Sequence, residues 1–363
     1  MTGRRRPWKA LLALLVAGAT FRFVLCVELT VPSGSMEPAL HGDPLRGDEL
    51  LVWKFAAGPF APGRFDLVVF ERRGDDVKSA ERVNVKRVAG LGGESLRIDD
   101  GDLYVREAGG DERRLVKSYA EFRPLLVPLA RSGAVTRRIE AGAEVALAEE
   151  VAFDDGWLDR HGVRHAGSTP VSDLLFELPL TIESRATTLR FGFTLAGGVR
   201  FDFTLAARAA GSELTIARTL ATSAASEERR FPVAALLPDR ELRLEFWQID
   251  GEVGAALDGA VLATAAFGPA ETALSAGRSV GGVTLSALVG AVTLRGSSVW
   301  RDLFWTSPAD APFACGSEPF DVPAGSWFVL GDHSEQSVDS RFFGAVSARE
   351  LVGRVISTRQ IDR

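Results

Sequence analysis

The chain has 363 residues, 46% hydrophobic and 25% charged, with a formal net charge of −6. That length accommodates two ordinary domains with buried cores, and the composition is globular, without a long low-complexity tract. The acidic balance lacks the clustered basic face of a nucleic-acid binder. Two cysteines, Cys26 and Cys315, are too few for a disulfide scaffold.

The N-terminus decides the compartment. Arg4, Arg5, Arg6 and Lys9 precede an apolar stretch at 10–21, which resumes at 23–27 after Arg22. A helix over 10–27 would rise about 27 Å, near the hydrocarbon thickness of a bilayer, with Arg22 close enough to one end to snorkel. The basic cluster predicts a cytoplasmic N-terminus, a single-pass anchor within 1–28, and a body outside the inner (cytoplasmic) membrane. The competing reading is a cleavable signal peptide cut after Ala17-Gly18-Ala19. The anchor is preferred because so few residues separate that cut from the first chemical motif. Both readings export the remainder.

Residues 29–108 alternate short apolar runs (49–52, 65–70, 83–89, 95–98, 103–105) with the turns Arg46-Gly47-Asp48, Pro62-Gly63 and Gly92-Gly93. This predicts an all-β, barrel-like region. Residues 109–312 change character. Period-2 runs at 188–195, 199–205, 241–247, 282–288 and 291–294 predict a jelly-roll-like β-sandwich, with strand–turn–strand–turn–strand over 243–267. The stretch 109–185 is irregular and receives no assignment. Its His161 and His165 have i, i+4 spacing, but the surrounding residues read as a solvated loop, so no metal is expected. Residues 313–363 return to strand and loop, with 327–330 feeding into Gly331-Asp332-His333. The middle zone reads as an insertion that splits one catalytic domain into 29–108 and 313–363.

Peptide hydrolysis by an oxygen nucleophile needs an exposed hydroxyl on a tight turn, a base in reach, and donors for the oxyanion. Pro32-Ser33-Gly34-Ser35-Met36-Glu37-Pro38 offers the turn, with Gly34 permitting close backbone approach. No histidine stands in a triad context. Lysine can serve as base where burial favours its neutral amine. Lys86 stands among Val83, Val85, Val88 and Ala89, a cation on an otherwise apolar strand. Taken singly, a serine turn is usually solvated and such a lysine usually lies on an exposed edge.

In order along the chain, these features resemble the type I signal peptidase family. Residues 31–40 resemble its nucleophile box, 46–52 and 65–70 the next two strands, and 85–94 its lysine box. Gly331-Asp332-His333 with Ser337-Val338-Asp339-Ser340-Arg341-Phe342-Phe343-Gly344 resembles its final box. The resemblance implies a signal-peptidase-type β-fold and a membrane-bound serine endopeptidase that cuts signal peptides from exported preproteins after small residues, with no cofactor. It implies Ser35 as nucleophile, Lys86 as general base, and Ser33 beside the Ser35 N–H in the oxyanion hole. Ser337 would orient the Lys86 amine, and Asp339 would pair with Arg341 to hold the final box. Met36 and Val85 would line a shallow pocket for alanine-like side chains. Two residues depart from the family: His333 stands where it usually has Asn, and Phe65 where it often has Gly.

The insertion resembles, on strand rhythm and the Leu257-Asp258-Gly259 turn, concanavalin A-like and laminin-G sandwiches. Such folds imply a glycan or a protein ligand, or a structural spacer. Two rival readings stay open beside the peptidase. One is a self-cleaving Ser/Lys repressor-type protease, which expects a DNA-binding domain and no anchor. The other is an exported binding protein that has lost activity.

Overall fold

A computed structural model describes residues 25–54, 58–72, 83–132, 136–148, 153–195, 198–208, 210–221, 226–267 and 280–361. The expected anchor lies outside these except for its last residues. Among the described residues no helix is long and apolar enough to cross a membrane. The described chain is mostly β-strand, in two compact units: 1–115 with 304–363, and 116–303.

In the first unit a seven-stranded sheet runs in the order Cys26–Thr30, Glu49–Trp53, Leu351–Arg359, Leu67–Glu71, Val83–Leu91, Ser326–Leu330, Val346–Ser347, every pairing antiparallel. Val83–Leu91 is an interior strand, with neighbours on both sides, so six successive residues from Val85 to Gly90 are buried. A four-stranded sheet orders Phe320–Asp321, Ser95–Asp99, Asp102–Arg106 and Arg113–Arg114. The sequence pattern predicts that this part ends at 108 and resumes at 313. Residues 109–115 stay with the first unit because Arg113–Arg114 pairs with Asp102–Arg106. At the far junction the Phe304 ring covers Gly101, so closely that a Cβ there would lie 2.1 Å from Cδ2.

The second unit is built on two sheets. The six-stranded one orders Glu144–Ala148, Val280–Val289, Thr188–Leu195, Val199–Ala206, Ser212–Thr219, Ser226–Val233. The eight-stranded one follows the path Ala260–Ala266, Glu252–Leu257, Glu241–Ile249, Leu174–Ile182, Val292–Leu294, Arg137–Ile139. Ser298–Arg301 also pairs with Leu174–Ile182, and Val127–Arg131 with Ser298–Arg301. Phenylalanines join the sheets: Phe191 stacks on Phe246 with centroids 4.6 Å apart, and Phe176 meets Phe193 at 5.7 Å. The expected hairpins over 243–267 are present. Their turns place Asp250-Gly251 and Asp258-Gly259 at positive φ, the chemistry of tight right-twisted hairpins.

A buried polar knot completes this unit. Lys117 Nζ lies 2.9 Å from Asp250 and 2.8 Å from Asp302. Burial disfavours its charge, but Asp302 and Asp250 outweigh burial and hold its pKa above the ordinary lysine value. His161 and His165 belong to an exposed hairpin in which Trp157–Leu158 pairs with Arg164–His165, and the His165 ring stacks on Trp157.

Candidate active site

Ser35 occupies a single 3-10 turn, Gly34–Met36, and Lys86 the interior strand Val83–Leu91. Separated by 51 positions in sequence, they meet: Lys86 Nζ donates a hydrogen bond to Ser35 Oγ. The residues beside them explain the meeting. Met36 and Val85 are buried in one apolar cluster with Val31, Leu40, Leu50, Val52 and Val69, which fixes the turn against the strand. Ser33 Oγ lies 3.4 Å from Ser35 Oγ on the exposed side.

The chain after the turn is held as tightly. Gly42 approaches the Ser33 carbonyl so closely that a Cβ there would lie 1.8 Å from the oxygen. His41 Nδ1 is 2.8 Å from Glu37 Oε1, and Asp48 accepts from the His41 backbone N–H at 2.8 Å.

The segment 331–341 closes the other side. The His333 N–H donates to Ser35 O at 3.2 Å. A Cβ on Gly331 would sit 2.1 Å from Ser337 Oγ and 2.6 Å from Ser35 O, so this glycine lets the segment press on the turn that carries Ser35. Ser337 Oγ is buried and has no hydrogen-bond partner among the described residues. Asp339 and Arg341 are wholly buried and paired, through Nε at 2.9 Å and Nη2 at 2.8 Å. Asp339 also accepts from the Gly331 N–H at 3.0 Å, and Arg341 reaches Ser334 Oγ at 2.7 Å and Thr306 O at 2.8 Å.

The electrostatics suit a base. Lys86 is only 2% exposed. Burial pushes its ammonium down to about 8, with Arg341 adding to the effect while Asp339 and Asp332 pull the other way. Without those carboxylates a lysine so buried would fall further; without burial it would hold almost no neutral amine near pH 8.

Several members of this assembly were not singled out in the sequence. Arg87, next to Lys86, forms a two-pronged pair with Asp332, Nε to Oδ1 at 2.8 Å. Its Nη1 donates to Phe65 O at 2.9 Å. Phe65 has φ of 70°, the left-handed region that glycine adopts without strain. The departure noted there therefore keeps the turn and adds backbone strain. Thr306 and Ser334, which hold Arg341, carry no local signal at all.

The signal peptidase family, peptidase S26, matches residues 4–145 and 305–358. The chain is 28% identical over 124 residues to "Probable signal peptidase I-2" of Synechocystis, covering 33% of this chain and 54% of that protein. It is 38% identical over 94 residues to "Signal peptidase I V" of Bacillus subtilis, covering 26% of this chain and 47% of that one. The chain thus spans about half the length of these curated relatives. Among solved structures it is similar to galectin LEC-6 of Caenorhabditis elegans, 14% identical, over 36% of this chain and 83% of that one. The TM-score there is 0.27, too low to assign a ligand.

Proposed function

This chain belongs to the signal peptidase family, peptidase S26, and from that premise we propose that it is a membrane-anchored serine endopeptidase that removes N-terminal signal peptides from exported preproteins. The observation that carries the reading is the hydrogen bond from Lys86 Nζ to Ser35 Oγ in a setting where Lys86 is buried and its pKa pushed down to about 8.

In this reading the neutral Lys86 amine takes the Ser35 proton as Oγ attacks the scissile carbonyl. The tetrahedral oxyanion is met by the Ser35 N–H and the Ser33 hydroxyl. The Lys86 ammonium then protonates the leaving amine, and an acyl-enzyme remains on Ser35. Water, deprotonated by Lys86, releases the signal peptide. Ser337, with a buried hydroxyl lacking a partner, orients the Lys86 amine between steps. Asp339 and Arg341 fix the segment that carries it. Met36 and Val85 are buried beneath the turn, where with the rest of their apolar cluster they back the place for the side chain before the cut and leave little give for a large one.

The basic N-terminus and the apolar stretch at 10–27 support a single-pass anchor in the cytoplasmic membrane with the body outside, and the family match starts at residue 4, upstream of that stretch. Incubating the purified chain with a test preprotein and mapping the products by mass spectrometry tests the reading. A single cut after an Ala-x-Ala-type sequence, lost in Ser35→Ala, is expected; an intact preprotein, or the same cut in Ser35→Ala, contradicts it.

A further inference from the structure

The sheet edges of the second unit differ in character. Ser226–Val233 ends the six-stranded sheet with Glu227, Glu228, Arg229, Arg230 and Pro232. Charges and prolines of this kind keep an edge from pairing with a foreign strand. Arg137–Ile139 is two-thirds arginine, Val127–Arg131 holds Pro128 and Arg131, and Glu144–Ala148 carries Glu144. The remaining edge, Ala260–Ala266, reads Ala-Val-Leu-Ala-Thr-Ala-Ala, with no charge and no proline. Among the described residues its ladder partner is Glu252–Leu257 alone, so one row of its backbone N–H and C=O groups is in no ladder, although Ser212–Thr219 and Ser226–Val233 of the other sheet pack near the strand.

A cavity of about 360 Å³ adjoins this edge, within the size range of ligand pockets. Val261 and Thr264 of the edge strand line it, and Trp247, Ile249, Tyr119 and Phe122 supply apolar walls. The register accounts for the aromatic wall. Thr264 and Trp247 both pair with Gly254, and the indole lies over that glycine, where a Cβ would come 2.2 Å from Cζ2. Lys117 also reaches the cavity, but its charge is neutralised by Asp250 and Asp302.

We propose that this edge and cavity form a docking site for an extended peptide. The peptide's main chain adds as a further strand to Ala260–Ala266, and one bulky apolar side chain enters the cavity. Strand addition draws affinity from backbone hydrogen bonds and selectivity from such pockets. A second copy of this chain, paired edge to edge, fits less well, because it would bring only Val, Leu, Thr and Ala side chains and leave the cavity largely empty. The site lies wholly in the second unit and does not depend on the peptidase reading.

The test uses the full chain in detergent with Ser35→Ala, so that the probe survives. The probe is the fluorescein-labelled peptide Lys-Thr-Val-Thr-Trp-Thr-Val-Thr-Lys, followed by anisotropy. Saturable binding is expected. It should weaken about tenfold or more with Val261→Lys, with Thr264→Trp, which fills the cavity, and with a probe whose Trp is replaced by Ala. N-methylation of alternate probe amides should abolish it. Val261 and Thr264 are exposed, so both variants should keep the parent's melting temperature. Absence of saturable binding, or equal binding by parent and both variants, overturns the proposal. So does a concentration-dependent dimer that Val261→Lys dissolves, which would assign the edge to a second copy.

Discussion

Gly42 and Ser33 stand in backbone contact: a methyl group on Gly42 would lie 1.8 Å from the Ser33 carbonyl oxygen and 2.5 Å from the Gly34 nitrogen. Neither neighbour is a flexible side-chain tip, so the turn that presents Ser35 has to move if residue 42 gains a Cβ. Misplacement of about 1 Å at a reacting centre costs on the order of a hundredfold in rate. Gly42→Ala should therefore lower kcat by about that factor. Gly63→Ala, whose Cβ would meet nothing nearer than 3.8 Å, should leave kcat unchanged. Steady-state kinetics of the two variants make the comparison; equal rates would mean that the turn does not position the nucleophile.

A lysine base makes cleavage depend on pH in one direction. With the Lys86 ammonium pushed down to about 8, roughly a tenth of the chains hold the neutral amine at pH 7, and nearly all do by pH 9. The kcat/KM of the free enzyme should rise with pH to a midpoint near 8. A profile that is flat from pH 6 to pH 9 would point to another base.

The same group sets a stability dependence of known sign. The unfolded lysine keeps its ordinary value of 10.5, while the folded one titrates at about 8. Between those limits the unfolded chain binds more protons, so stability rises with pH. Below about pH 8 the folded state bears the full cost of a buried charge, on the order of 3 kcal/mol. Lys86→Met should be more stable than the parent chain by about that amount at pH 7, and the gap should close toward pH 10.5. Denaturant unfolding at the two pH values reads it, and a gap that does not change with pH would contradict the assignment.

How the catalytic unit tolerates its interruption follows from its own backbone. The Leu115 N–H donates to Leu103 O at 2.8 Å, and the Trp305 N–H faces Gly101 O at 3.5 Å. The two ends of the first unit thus adjoin backbone carbonyls two residues apart. Replacing 116–303 with a short Gly/Ser linker should leave a chain that still cuts a short test peptide. Expressed alone, 116–303 should unfold in one cooperative transition with a β-type circular dichroism spectrum. Aggregation of the shortened chain, or disorder in the excised segment, would show that the two units share a core.

Much of this architecture is legible in the sequence where its signals are local. Asp250-Gly251 and Asp258-Gly259 mark hairpins because few other residues accept φ of 50° or more. The strand around Lys86 shows through Val83, Val85, Val88 and Ala89, but Asn84, Lys86 and Arg87 interrupt the run, and only its interior place in the sheet buries all six residues from Val85 to Gly90. The region 109–185 resisted reading because several of its strands have only two or three residues, as at 113–114, 137–139, 157–158 and 164–165, too short for alternation to appear. Its four-residue helix, Tyr119–Phe122, is shorter than any periodic signal. Long-range pairs left no trace either. Arg87 and Asp332 are 245 positions apart, and Thr306 acquires its role only when Arg341 is brought beside it.

The central claim, that Ser35 and Lys86 act as one catalytic unit, is tested most directly by initial rates on a single test preprotein. Four proteins are compared: the parent chain, Ser35→Ala, Lys86→Ala and the double variant. Because residues of one unit are grossly non-additive, each single change should remove nearly all cleavage, and the double variant should be no slower than either. Substantial cleavage by Lys86→Ala, or losses that multiply in the double variant, would contradict it.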